Sequence, residues 1–386
     1  MGTSVAGRTA KALAAAATLA AAVLIASGGA AHASSRATAA GVKRFTNHVF
    51  ASASGIMHPT ANGEESISGP DDITSFGDHI FVGFQNGVGP QGEPSTTGNT
   101  DSTVVEFNLK GHRVAQWDVV GKCDGLTADP LDGRLIATVN EDAHSSVYLI
   151  NPVVGSTPVH YRYNKPLPSD GGTDAISIYQ KMILVSASAP GTTGAAAPSA
   201  KYPAVYRVLF NTKTHVAKIT ALFSDEAEAV IANATTEYGK PVHLALTDPD
   251  SNAVVPAYAD RFAGAFELTS QADKEQIFLY GGKHRALAVL KLSGSVDDTA
   301  WAADASGAIY TTDSSTNTVD KVTGPFKTGE AFVAGTPCDA GNAPSTCPAP
   351  GFSANYLGKL NLMTGAIARV AVKGPALEPK GMLFLP

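Results

Sequence analysis

The fold is decided by one stretch in the first half of the chain, Cys123-Asp124-Gly125-Leu126-Thr127-Ala128-Asp129-Pro130-Leu131-Asp132-Gly133-Arg134-Leu135-Ile136-Ala137-Thr138-Val139. It contains an acidic residue, a small residue, a short apolar run, an Asp-Gly turn and a second short apolar run. Short apolar runs that are bounded by Asp-Gly turns are typical of paired β-strands. The stretch therefore predicts two antiparallel strands, the first of which begins at an acidic residue.

The same order of residue types recurs along the chain. Counted from Asp72, the starts follow one another at intervals of 52, 50, 54, 70 and 82 residues. Further apolar segments, such as Val147 to Ile150 and Val159 to Tyr163, follow the first pairs and alternate with the period of two expected of strands. The six starts are Asp72, Asp124, Asp174, Glu228, Asp298 and Lys380, the last with a basic residue in the place of the acid.

Repeats of about fifty residues with four strands each predict an all-β fold, a β-propeller, with a β-sandwich or β-helix as the alternative. We expect six blades rather than seven, because no apolar strand follows Asp339 within the longest interval. The last strand, Lys380 to Leu385, has no chain after it to complete its sheet. We therefore expect the N-terminal stretch Phe45 to Ser52 to supply an outer strand that closes the ring and covers an edge.

The first residues predict export. Arg8 and Lys11 precede an almost wholly apolar run, Ala12 to Ala26, and Ala31-His32-Ala33 has the form of a signal-peptidase site. We expect residues 1–33 to be a signal peptide and residues 34–386 to form a single propeller domain that is secreted. No later stretch reaches eighteen apolar residues, so we expect no transmembrane segment in the mature chain.

Charge and composition restrict the kind of partner. Removal of the signal peptide leaves 26 basic residues against 34 acidic ones, whereas a nucleic-acid partner calls for a basic face. The 38 Gly and 23 Pro residues are typical of a turn-rich β protein. We expect a monomer that binds a small molecule or an extracellular polymer and no nucleic acid.

Three cysteines are too few for a disulfide scaffold. Cys338 and Cys347 flank a polar loop, and in an oxidising compartment we expect them to form a disulfide. We expect the remaining cysteine, Cys123, to pack as a small apolar residue.

The repeated acidic starts are the candidate functional residues. Because inner strands of a propeller run side by side along its channel, we expect the starts to converge at one mouth of that channel. Carboxylates that are crowded in a narrow opening repel one another unless a cation neutralises them, and calcium prefers oxygen ligands. The predicted metal ligands, one of which is also a candidate base, are Asp72, Asp124, Asp174, Glu228 and Asp298.

A structural role is the alternative for these acids. An Asp at the start of a strand often accepts hydrogen bonds from nearby backbone N–H groups, and repeats copy such a role. Asp71 and Asp297 precede two of the predicted ligands and add to the acidic group. Only the directions of the side chains distinguish the two interpretations.

The stretch that begins at Cys123 resembles a blade of the NHL and gluconolactonase (senescence-marker-protein)-like propellers. The resemblance implies a calcium ion at the channel and metal-dependent opening of a lactone or ester; related blades occur in streptogramin lyases, which use magnesium and a His base. The Glu-Gly-Pro start of the lactonase branch is absent, and Gly69-Pro70-Asp71-Asp72 stands there instead. The functional hypotheses are therefore a secreted propeller that binds a ligand or divalent cation in its channel, a calcium-dependent lactonase or esterase, and a streptogramin-lyase-like enzyme.

Overall fold

The computed structural model describes residues 44–168, 171–188, 202–281, 286–337 and 354–386. The predicted all-β class is confirmed, because these residues form strands and contain no α-helix. In this part of the chain no helix is long and apolar enough to cross a membrane. Residues Lys43–Pro386 form one compact unit.

The strands are short, as expected of a chain in which Gly, Pro, Asn and Asp interrupt apolar segments every few residues. In chain order they are β1 (Phe45–Ser52), β2 (Met57–Thr60), β3 (Gly63–Ser66), β4 (Pro70–Phe76), β5 (His79–Phe84), β6 (Asp101–Asn108), β7 (Arg113–Val120), β8 (Cys123–Asp129), β9 (Arg134–Val139), β10 (Ser146–Ile150), β11 (Val159–Tyr163), β12 (Ile176–Tyr179), β13 (Met182–Ser186), β14 (Pro203–Asn211), β15 (Val216–Ser224), β16 (Glu228–Ile231), β17 (Pro241–His243), β18 (Pro249–Val254), β19 (Phe266–Ser270), β20 (Glu275–Tyr280), β21 (Ala286–Lys291), β22 (Ser295–Trp301), β23 (Ala308–Asp313), β24 (Thr318–Thr323), β25 (Ala331–Thr336), β26 (Tyr356–Leu360), β27 (Ile367–Arg369), β28 (Val372–Lys373) and β29 (Met382–Leu385).

Most strands belong to four-stranded antiparallel arrays, namely β4-β5-β6-β7, β8-β9-β10-β11, β12-β13-β14-β15, β18-β19-β20-β21, β22-β25-β26-β27 and β29-β23-β24-β1. The outer strands of two neighbouring arrays, β11 and β15, pair in parallel, so these arrays form one sheet. Two other arrays gain an outer strand, because β16 pairs in parallel with β21 and β28 pairs in parallel with β1. The strands β2 and β3 form a separate hairpin. We call the first strand of each array as written here its inner strand.

The six inner strands contact one another in a closed cycle. The order is β4, β8, β12, β18, β22 and β29, and β29 contacts β4 again. The predicted N-terminal strand is present, because β1 pairs antiparallel with β24 in the sheet that contains β29. The first and last parts of the chain thus share one sheet.

One of the predicted strand pairs is wrong. The strand that begins near Asp298, β22, pairs with β25 instead of the next strand in the chain, and β23 lies between β24 and β29. In the turn that follows β22, Asp304 accepts hydrogen bonds from the N–H groups of Ser306 and Gly307, both at 2.7 Å, and the chain then continues into the neighbouring sheet. The choice of partner strand depends on contacts across the sheet, which a repeat of residue types does not specify. The predicted pair at Glu228 forms, because β16 pairs antiparallel with β17, but β16 is an outer strand and the inner strand of that array is β18.

Apolar side chains pack between neighbouring arrays. Ile80, Val82 and Phe107 of one array pack with Tyr310 and Val319 of another, and all five are buried. Burial of apolar surface at about 25 cal/mol per Å² stabilises such contacts. Cys123 is a free, buried cysteine in a similar apolar cluster, as predicted. Cys338 and Cys347 lie outside the described residues, so their disulfide stays a prediction.

Candidate functional site

Four inner strands contain a β-bulge near their first residues. In β4, Pro70 pairs with Phe84 and Ile73 with Val82, so Asp71 and Asp72 together face a single residue. The register shifts in the same way in β8, β18 and β22. A bulge bends the strand and redirects a side chain, and it sets which residue of each start lies at the shared position.

The first residue of each bulge is an aspartate. In the other two arrays, the equivalent place is held by Asp174, whose N–H donates to Ser186 O at 3.1 Å, and by Lys380, whose N–H donates to Thr312 O at 3.0 Å. We call the resulting six the ring residues: Asp71, Asp124, Asp174, Asp250, Asp297 and Lys380. All six line one cavity, which has a volume of about 190 Å³.

Five of the six predicted starts line this cavity, and three of them lie at ring positions. The structure places Asp124 and Asp174 at ring positions, and it places Lys380 there as the basic member. Asp72 and Asp298 also line the cavity, each one residue after a ring position, whereas Glu228 does not line it.

Asp72 and Asp298 follow ring residues and connect neighbouring inner strands. The Asp72 carboxylate accepts the N–H of Ile73 at 2.7 Å and that of Leu126 at 2.6 Å. Asp298 in the same way accepts the N–H groups of Thr299 and Met382, both at 2.6 Å. These bonds are the ones expected if Asp72 and Asp298 have a structural role instead of binding a metal ion. A shift of one residue along a strand redirects the side chain, so Asp71 and Asp297 take the ring positions.

Glu228 lies in the outer strand β16 and its side chain is exposed. The ring position of that array is occupied by Asp250, which the repeat of acidic starts in the sequence did not indicate. The surrounding residues Asp248, Pro249 and Asn252 are typical of a turn, and this obscured the strand. A signal was available: Pro249-Asp250 repeats the dipeptide Pro70-Asp71 at an equivalent bulge.

One part of the ring forms ion pairs with neighbouring lysines, of which Lys122 is shared with the carboxylate of Glu141, another residue of the cavity. Lys380 Nζ forms an ion pair with Asp71 Oδ1, and Lys122 Nζ forms one with Asp124 Oδ1 at 2.8 Å. Gln85 Nε2 donates to both carboxylates, at 2.5 Å to Asp71 and 2.9 Å to Asp124. Charge-assisted hydrogen bonds of this kind hold both carboxylates in fixed positions.

In the opposite part, the carboxyl group of Asp250 is next to those of Asp174 and Asp297. Asp250 is hydrogen-bonded to Asp174 and to Asp297, and no Lys or Arg among the described residues forms an ion pair with any of the three. Burial raises the pKa of Asp174 and of Asp250 well above the usual range. Burial also raises the pKa of Asp297 to about 6, against an attraction from Lys380. A hydrogen bond between two carboxyl groups requires a proton, so these groups share protons when no cation is bound.

Some buried oxygens of the cavity have no hydrogen-bond partner among the described residues. They are Asp124 Oδ2, Asp250 Oδ2 and Asn252 Oδ1, and all three residues line the cavity. Asp124 is only 5% exposed. Because an unsatisfied buried acceptor costs about 1–3 kcal/mol, the cavity is complementary to a group that supplies positive charge or N–H donors.

Hydroxyl groups of neighbouring strands donate hydrogen bonds to the backbone carbonyl groups of three ring residues. Thr138 Oγ1 donates to Asp174 O at 2.7 Å, and Ser186 Oγ donates to Asp250 O at 2.6 Å. Thr312 Oγ1 donates in the same way to Asp71 O. Each bond joins the second strand of one array to the inner strand of the next, so the ring is rigidly positioned.

The residue types suit calcium, since the candidate ligand atoms are carboxylate and amide oxygens. Their positions do not: among the described residues, no group of three or more His, Cys, Asp and Glu side chains is arranged to hold a metal ion. Calcium therefore stays a prediction from the sequence.

No protein-family model matches the chain. No curated protein matches it either. Solved structures with which it shares a likeness include a periplasmic gluconolactonase from Pseudomonas aeruginosa, at 10% identity over 89% of this chain and 99% of that one, with a TM-score of 0.43. A streptogramin B lyase is 13% identical over 88% and 91%, with a TM-score of 0.43. The β-propeller domain of Swd1 from Myceliophteria thermophila is 10% identical over 83% and 77%, with a TM-score of 0.41. At TM-scores below 0.5, these likenesses carry no conclusion about the site.

Proposed function

We propose that this protein is a single-domain β-propeller with six blades, and that its central cavity binds a cation. The six arrays and the closed cycle of their inner strands support the blade count. The pairing of β1 with β24 supports ring closure by the N-terminal strand. The predictions of a signal peptide at residues 1–33, of a domain at 34–386 and of secretion complete the proposal, and export would bring the cavity into contact with extracellular ligands.

The observation that carries the proposal is the unbalanced charge of the ring. Five of six equivalent positions hold aspartate, and Asp174, Asp250 and Asp297 share hydrogen bonds in place of basic partners. A bound cation replaces the shared protons and interacts with acceptors that are already buried. Cation binding is therefore expected to release protons and to strengthen as the pH rises above about 6.

A panel of cations tests the proposal. We expect at least one of calcium, magnesium and a primary alkylammonium ion to raise the melting temperature of the purified protein at pH 7.5 and to give saturable heats in calorimetry. Asp250→Asn should weaken that binding about tenfold or more, since it removes one charge from the part of the ring opposite the ion pairs.

Glu228→Gln is the matched control. It removes a carboxylate that the sequence predicted as a ligand but that lies in an outer strand, so binding should be unchanged. Failure of every cation to bind, or equal weakening by both substitutions, would refute cation binding in the cavity.

A second candidate function is hydrolysis of a lactone or ester, the activity implied by the family resemblance. The specific observation in its favour is Asp297, a cavity residue whose pKa of about 6 suits a general base near neutral pH. A screen of lactones and aryl esters, with and without calcium, tests this activity. Turnover that persists in Asp297→Asn would exclude Asp297 as the base.

A further inference from the structure

We infer that the preferred ligand of the cavity is a small organic ammonium ion with a short apolar stem, rather than a bare metal ion. This inference rests on the proposed cation binding and specifies the chemical class of the cation. Three observations carry it: a second layer of side chains below the ring, the kind of partner that the unsatisfied oxygens lack, and the size of the cavity.

The second layer follows the ring by two residues in every inner strand. In four strands the residue is apolar and buried, and it lines the same cavity: Ile73, Leu126, Ile176 and Met382. In the other two strands it is Asn252 or Thr299. The apolar members lie in the strands of Asp71, Asp124, Asp174 and Lys380, whereas the polar members follow Asp250 and Asp297. The second layer is therefore apolar in four strands and polar in two.

This second layer, which is apolar in four strands and polar in two, suits a ligand with one charged end and one apolar end. An ammonium group placed near Asp250, Asp297 and Asn252 meets carboxylates and an amide oxygen that lacks a donor. Its carbon stem then contacts Ile73, Leu126 and the neighbouring apolar side chains, and burial of that stem adds apolar contact area. A bare metal ion makes no use of these apolar side chains.

The unsatisfied oxygens lack donors at hydrogen-bond distance. A primary ammonium group carries three N–H donors and makes charge-assisted bonds of about 2.7–2.9 Å to separate acceptors. Calcium instead requires six to eight oxygens that converge at about 2.3–2.6 Å. No group of three acidic, His or Cys side chains among the described residues is arranged for that, so the ammonium ion is the better match to the ring as it stands.

The volume agrees with an organic ligand. A cavity of about 190 Å³ exceeds the space that a single ion needs. A chain of four carbons with one amino group fits within this space.

Calorimetry on the purified protein with three probes tests the inference. The probes are n-butylammonium, calcium chloride and butyltrimethylammonium, which has the same charge and stem as the first but no N–H donors. At pH 7.5 we expect n-butylammonium to bind at least tenfold more tightly than either of the others. Asp250→Asn should weaken its binding about tenfold to a hundredfold, whereas Glu228→Gln should leave it unchanged.

The possible outcomes separate the inference from the proposed function. Tighter binding of calcium than of n-butylammonium, with the same loss in Asp250→Asn, would overturn the inference and leave cation binding supported. Equal binding of the primary and quaternary ions would overturn the role of N–H donors. Absence of binding by all three probes, with a melting curve that shows a folded protein, would overturn both proposals.

Discussion

Replacement of Asp297 by Asn is expected to stabilise the ligand-free protein near neutral pH. The pKa of Asp297 is raised to about 6, chiefly by burial, whereas an Asp in an unfolded chain has a pKa of about 3.9. The folded state therefore binds the proton more tightly than the unfolded state, and ionisation of Asp297 destabilises the fold as the pH rises from about 4 to above 6. A difference of about two pKa units corresponds to about 3 kcal/mol at pH 7.5 and to about 0.5 kcal/mol at pH 4.

Denaturant unfolding of wild type and Asp297→Asn at pH 7.5 and pH 4.0 measures this difference. We expect the variant to unfold at a higher denaturant concentration at pH 7.5 and at nearly the same concentration at pH 4.0. A gain that does not depend on pH, or a loss of stability at pH 7.5, would contradict the assignment of Asp297 to an uncompensated part of the ring.

Asp313→Asn is the control, for which we expect a loss of stability instead of a gain. Asp313 is also buried, but its carboxylate accepts N–H groups from Ser315 at 3.0 Å, Thr316 at 3.1 Å and Glu378 at 2.9 Å. An amide group in its place directs its own N–H donors at some of these, so we expect destabilisation of about 1–3 kcal/mol at pH 7.5. The same substitution at these two aspartates thus distinguishes a carboxylate that accepts several backbone N–H groups from one whose pKa is raised.

Three further outcomes are expected from unfolding measurements. Gly125→Ala should lower stability by more than 2 kcal/mol or prevent folding, because a Cβ there would lie 2.3 Å from Asp174 O, whereas Gly294→Ala meets only ordinary contacts and should be tolerated. Thr312→Val should cost about 1–3 kcal/mol, because the hydroxyl that bonds to the neighbouring inner strand has no substitute; an unchanged midpoint would show that this bond adds nothing. Deletion of Phe45–Ser52 should lower the unfolding midpoint and cause self-association visible by light scattering, since it uncovers β24; a monomer of unchanged stability would show that β1 is not needed for closure.

The repeat of an acidic start and a hairpin predicted the strand content and most inner strands because those features are local. Apolar runs with Asp-Gly turns specify strands and tight turns whatever surrounds them. The crossing of β22 to β25 was not predictable in this way, because a choice between two apolar strands depends on contacts across the sheet. The strand at Asp250 was missed for a related reason: its polar sequence resembles a turn, and only the cavity explains why polar residues line an inner strand.

For the site, the sequence predicted that acids converge but not which acids. Asp71 and Asp72 are adjacent and identical in type, and the bulge alone assigns one to the ring and the other to a backbone contact with Leu126. A bulge leaves little signature in a single sequence, since it depends on how many residues face the partner strand. The direction of a side chain is therefore the part of the prediction that required coordinates.

Lys380 makes one part of the nearly symmetric ring different in charge from the opposite part. If all six positions held aspartate, each carboxylate would face two others and none would have an adjacent cation within the ring. Lys380 pairs with Asp71, and Lys122 and Gln85 extend the ion-paired part to Asp124. Among the described residues, the ring carboxyl groups without an ion pair are those of Asp174, Asp250 and Asp297, and the last two lie in the strands whose second-layer residues are polar. An organic cation that places its ammonium group near Asp250 and Asp297 and its stem against the apolar second-layer residues has one favourable orientation.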